Sequence, residues 1–170
     1  MTDAPHPEWT ALLTRLGIPS SSASAARTDA DRRVDRVLPR VSESAPDIEI
    51  ALALLTAAAS GPLRKSLGEI HTRSTTQRAA LLESAADSPR RRPGPVARLL
   101  TRIGLRAPGA APASELDARV HGETVLAIAA APEAQLDRAA ALDGVRRLVA
   151  RGRLPADRAE GILRALHHVG

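Results

Sequence analysis

The chain has no cysteine, phenylalanine or tyrosine, and one tryptophan, Trp9, is its only aromatic residue. Without cysteine there can be no disulfide and no thiolate metal site, which fits a reducing cytoplasm as the expected location. Without Phe and Tyr the core has to be filled by Leu, Ile, Val and Ala. Alanine has the best helix propensity and lets helices approach closely. Sheets lean on aromatic and β-branched residues, which are scarce here, so composition favours an all-α fold. Long apolar runs are missing too. Residues 50–55, one of the longer runs, are far too few to span a bilayer. The start, Met1 to Glu8, lacks the basic-then-apolar order of a signal peptide. Lysine is nearly absent: Lys65 is the single one, and every other basic residue is arginine.

What is there is charge and helical periodicity. The 170 residues carry a net charge of +5. Residues 1–86 are close to neutral, and the excess lies in the second half, largely in Arg90, Arg91, Arg92, Arg98, Arg102 and Arg106. A G+C-rich genome also favours arginine and alanine codons. At this length the chain can form one domain or two small helical units sharing a core.

A first helix is predicted over residues 7–16, where Trp9, Leu12, Leu13 and Leu16 share one face. Gly17 suits its C-terminus, with Pro19 as a stop. Thr28 or Asp29 caps a second helix with Val34, Val37, Leu38 and Val41 as its buried seam, ended or kinked at Pro39. A third runs from Pro46-Asp47 through Ser60, with Ile48, Leu52, Leu55 and Ala59 on one side. It reads as the most buried helix. Gly61-Pro62 breaks it. Residues 62–71 and 75–86 read as two further helices, the latter with Ala79, Leu82 and Ala86 inward. Residues 88–95, Ser-Pro-Arg-Arg-Arg-Pro-Gly-Pro, form a stiff linker.

Residues 96–103 repeat the first helix: Leu99-Leu100-Thr101-Arg102-Ile103-Gly104 echoes Leu12-Leu13-Thr14-Arg15-Leu16-Gly17. After a loop at 107–112, Ser114 caps a helix carrying Leu116, Val120, Val125, Leu126 and Ile128, with Gly122 as a break point. Ala131-Pro132-Glu133 opens the next, as Ala45-Pro46-Asp47 does earlier. Leu136, Ala140, Leu142, Val145, Leu148 and Val149 form its core face, and Gly152 ends it. Pro155 precedes a final helix with the seam Ala159, Ile162, Leu163 and Leu166. The expected fold is an all-α, compact bundle of about eight to ten helices. Its expected units are 1–87, a linker at 88–95, and 96–170, related by duplication or packed as one domain.

No phosphate loop, nucleophile elbow or paired-carboxylate motif is present, so a non-catalytic role without cofactor is expected. His167 and His168 are adjacent and point about 100° apart on a helix, so they do not form a metal pair. Two binding roles lead, ahead of a small-molecule-binding bundle. The first is a cytoplasmic adaptor or regulatory domain that binds another protein, with Trp9 as a contact or core residue. The second is DNA or anion binding by Arg90, Arg91, Arg92, Arg98, Arg102 and Arg106. Arg151 and Arg153 join this set because Arg-Gly-Arg can lie in a narrow minor groove. Residues 151–157, Arg-Gly-Arg-Leu-Pro-Ala-Asp before a helix, are similar to the DNA-binding tail of the actinobacterial nucleoid-associated xenogeneic silencers. The resemblance implies AT-rich DNA as ligand and Arg151, Gly152 and Arg153 as the groove-binding residues. In that family a polar loop precedes the tripeptide, whereas here a helix runs into it. The same residues also read as a plain helix–glycine–helix connection.

Overall fold

A computed structural model describes Ala11, residues 28–87 and residues 111–168. These form six α-helices: α1 (Asp29–Val37), α2 (Asp47–Ala58), α3 (Gly61–Asp87), α4 (Ala111–Ala129), α5 (Arg138–Ala150) and α6 (Ala156–His168). Single 3-10 turns follow α1 (Leu38–Arg40) and precede α5 (Glu133–Gln135). The described part is therefore all-helical, with six α-helices rather than eight to ten. The helices expected at 7–16 and 96–103, Trp9, and the linker 88–95 lie outside it.

Helix α2 is the hub. It packs against each of the other five helices. Its apolar residues go nearly all the way round: Ile50, Ala51, Leu52, Leu54, Leu55, Ala57 and Ala58 are all buried. Such a helix has no face to give to water. Around it, Val34 of α1, Leu67 of α3, Val145 and Leu148 of α5, and Ile162 and Leu163 of α6 are fully enclosed. Alanine and glycine permit the closeness. A Cβ added at Gly144 of α5 would lie 2.8 Å from a Val34 methyl and 3.0 Å from a Leu54 methyl.

Polar clamps fix the ends. Thr28 caps α1 through a box with Asp31: its hydroxyl accepts from the Asp31 N–H at 3.1 Å, and its N–H donates to the Asp31 carboxylate at 2.9 Å. The Thr28 hydroxyl also donates to Asp137, which caps α5 by accepting from the Ala140 N–H. The α2–α3 turn is pinned by the chain before α5. Ser60 N–H donates to the Gln135 carbonyl at 2.8 Å, Asp137 N–H donates to Ala58, and Ala59 and Leu136 form an isolated antiparallel bridge.

That clamp corrects one expectation. Ala131-Pro132-Glu133 does not open a long helix; it makes a 3-10 turn, and α5 begins at Arg138 under the Asp137 cap. The core face of α5 is Ala140, Ala141, Gly144, Val145 and Leu148. Helix α2 ends at Ala58, not Ser60. Residues 62–71 and 75–86 are not two helices but one, α3, of 27 residues. Its inward residues are Leu63, Leu67, Ile70 and Ser74, followed by the half-buried Leu81, while Ala79 and Leu82 face solvent. Helix α4 begins at Ala111, so Ser114 sits inside it rather than capping it. It runs through Gly122 unbroken, and Leu126 is exposed. The last seam, Ala159, Ile162, Leu163 and Leu166, is buried as expected.

Candidate functional site

Three places carry polar or uncovered apolar groups beyond what capping needs. The first is a seam where α2, α3 and α4 meet. On α3, His71, Ser74 and Arg78 follow one another at helical spacing. Arg78 Nε donates to Glu49 of α2 at 2.5 Å, and its terminal nitrogen donates to Asp117 of α4. The Arg78 and Glu49 side chains are 14% and 12% exposed. Burial opposes the charge on Arg78, but its bonds to Asp117 and Glu49 outweigh that and hold its pKa above the usual arginine value. His71 lies nearby, half-buried. Burial lowers its pKa below 6.5, and the negative charge of Glu49 works the other way. The Ser74 hydroxyl is enclosed and has no hydrogen-bond partner. A hydroxyl 1% exposed cannot meet a substrate from solvent, so the Ser74, His71 and Glu49 set is not a nucleophile with its base. The seam fixes the register of three helices.

The second place is the free end of α3. A 27-residue helix is about 40 Å long and the 12-residue α2 about 18 Å. Arg78 meets Glu49 near the start of α2, so residues 79–87 run on past it beside the first turns of α4. There Leu81 and Leu116 floor a shallow groove edged by Gln77, Ala80, Glu115 and Arg119. Leu82 is 67% exposed.

The third is the other side of α3. Gly61, Lys65, Gly68 and Thr72, with Thr56 of α2, line an open groove of about 730 Å³ rimmed by Arg64, Glu69 and Arg73. Arg73 is paired with Glu123 at 2.5 Å. Sequence reading missed this face. Its trace in the chain is a glycine in mid-helix, Gly68, four residues before the short Thr72.

Of the predicted site residues, Trp9, Arg90, Arg91, Arg92, Arg98, Arg102 and Arg106 lie outside the described residues. Arg151, Gly152 and Arg153 form the C-terminal cap of α5. Gly152 has φ of +67°, the left-handed conformation. Its N–H donates to Val149, and that of Arg153 donates to Leu148, which is a Schellman cap. The Arg153 guanidinium donates to the Leu38 and Val41 carbonyls at 2.8 and 2.9 Å. It thereby ties the end of α5 to the end of α1. Arg151 is exposed. Arg33 and Arg158 do similar work, the first holding the Ala57 and Ala59 carbonyls and the second Ala45 and Asp47. Much of the arginine in the described residues is thus internal fastening.

Among the described residues no group of three His, Asp or Glu could hold a metal ion, and no helix is long and apolar enough to cross a membrane. Comparison with known proteins gives no match: no family model, no curated protein and no solved structure.

Proposed function

We propose that the protein is a non-catalytic helical adaptor that binds another protein through the free end of the α3–α4 pair. One observation carries this reading. Helix α3 outruns the helix it is packed on and leaves Leu82 uncovered next to the groove floored by Leu81 and Leu116. Apolar surface beside a shallow groove with a charged rim suits an amphipathic helix of a partner. A photo-crosslinking side chain at position 82 should trap one protein in cells of the source organism. That protein, purified, should bind the wild type and lose about tenfold or more in affinity to Leu82→Glu, or at least 1.4 kcal/mol. An undiminished affinity, or no adduct, would sink the reading.

A second reading, DNA or another polyanion, is favoured by where the arginines fall. Residues 88–110 hold six arginines and no acidic residue, while the rest of the chain is one charge negative (18 basic, 19 acidic). That segment joins the end of α3 to the start of α4. Arg153 is the weakest member of the set, because DNA would have to compete with two backbone carbonyls for its guanidinium. The resemblance of residues 151–157 to xenogeneic silencers belongs to this reading. Duplex binding that falls steeply with salt, and that weakens when Arg90, Arg91 and Arg92 are changed together to alanine, would support it. No binding at low salt would end it.

A further inference from the structure

The arginines left over from fastening the bundle are not spread evenly. Helix α1 with its 3-10 turn and α5 with its cap, residues 29–41 and 138–153, hold nine arginines and four aspartates, a net charge of +5. The other described residues hold seven basic and thirteen acidic side chains, a net charge of −6. Helices α1 and α5 pack on one another, so the positive charge is gathered in one helix pair.

Helix α1 also sorts its charges. Asp31 and Asp35 turn to Arg147 of α5, at 3.7 and 2.6 Å. Arg33 turns inward to the Ala57 and Ala59 carbonyls. Arg32, Arg36 and Arg40, each four residues after the last, are exposed. Arg32 makes one loose pair with Asp29, and both side chains are largely in water. Arg36 and Arg40 bond to no acid among the described residues. The acids that flank them in sequence are engaged elsewhere, Asp35 with Arg147 and Glu43 with Arg153. Arg153 holds the Leu38 and Val41 carbonyls on either side of Arg40, and the exposed Arg151 adds a further cation at that end. Like charges four apart on a helix repel. The row therefore lowers the stability of the free protein, and a bound polyanion would relieve it.

We infer that Arg32, Arg36 and Arg40 bind the phosphate backbone of duplex nucleic acid. The ligand class is that of the second reading, on which this inference rests, but the contact lies on folded helices rather than on residues 88–110. Guanidinium groups match phosphate oxygens with paired donors. The row spans about 12 Å, the rise of about three or four phosphates on one strand. A protein partner or a membrane surface needs apolar contact. The exposed large hydrophobic residues among those described, Leu82 and Leu126, lie on α3 and α4 instead. Single strands are held by stacking on aromatic side chains, and the described residues include none. Contact with the backbone alone carries no base preference.

Binding of the full chain to a short DNA duplex, followed by fluorescence anisotropy against salt, tests this. Arg36→Ala with Arg40→Ala should weaken binding about tenfold or more near 0.1 M salt and lower the steepness of log K against log salt by about 2. These side chains are exposed, so the unfolding midpoint should not fall. Arg64→Ala with Lys65→Ala removes the same charge from exposed positions on α3 and should change affinity less than about twofold, since distant charges are screened at that salt. Equal losses in the two double variants would make the effect one of net charge and overturn the inference. Wild-type binding by the α1 variant would overturn it too, and the second reading would survive if changing Arg90, Arg91 and Arg92 still weakened binding. No duplex binding at low salt would overturn both. Competition by poly-glutamate as strong as by DNA would assign the row to an acidic protein and overturn the choice of nucleic acid.

Discussion

Gly144 and Gly122 are both mid-helix glycines, and the structure gives them opposite roles. At Gly144 a methyl group would press into Val34 and Leu54 at 2.8 and 3.0 Å. Gly144→Ala should cost about 1–3 kcal/mol, as overpacking does, read from a shifted denaturant midpoint. At Gly122 nothing lies within 4 Å of the added atom. Gly122→Ala should raise stability by about 0.5–1 kcal/mol through helix propensity and the stiffer unfolded chain. His71 makes a pH prediction. Its pKa is lowered in the folded state, so below about 6.5 the unfolded chain takes up the proton first. Its contribution is complete above that pH and is lost as pH falls through 6.5 toward the folded value. The stability-against-pH curve of His71→Gln should be flatter than wild type between pH 5 and 7, and a curve of equal slope would contradict the assignment.

Among the elements, α3 shows where periodicity stops being informative. Its stretch Thr72-Arg73-Ser74 reads as polar and so as a break. In the structure it continues the helix, because the inward positions there are taken by a buried serine and then by Arg78 bonded to Glu49 and Asp117. Spacing also shows that Ala79, Leu82 and Ala86 share a face, without showing which face is covered. That depends on where α2 stops. Helix α6 had no such ambiguity: one clean stripe met one core. Among the candidate site residues, the Gly152 cap was legible from glycine chemistry alone, whereas the reach of Arg153 to Leu38 and Val41 depends on contacts 112 or more residues apart in sequence. The Arg78 seam makes its own prediction. Arg78→Met should cost about 3 kcal/mol or more by stranding the Glu49 carboxylate, and the double change Arg78→Met with Glu49→Gln should restore much of it in equilibrium unfolding. A single change below 1 kcal/mol would show that the seam is solvated.

For the molecule as a whole, one core draws on residues 30–70 and 116–166 together, with α2 passing through its centre. The all-helical class was legible from the missing aromatics and the abundance of alanine. The arrangement was not, since short helices of Ala, Leu and Arg resemble one another and their order along the chain does not say which becomes the hub. The free end of α3 arises from unequal helix lengths, which no single helix reveals.

That inequality of length should also set a hierarchy of local opening. Amides near the centre of α2 are surrounded by five helices and can exchange with deuterium only when the whole bundle comes apart. Those of residues 79–84 are supported mainly by α4, and they can exchange through a smaller opening that leaves the remainder intact. Exchange in mild denaturant should therefore separate into two tiers, with Leu52 and Leu54 in the slow one and Leu82 in the fast one.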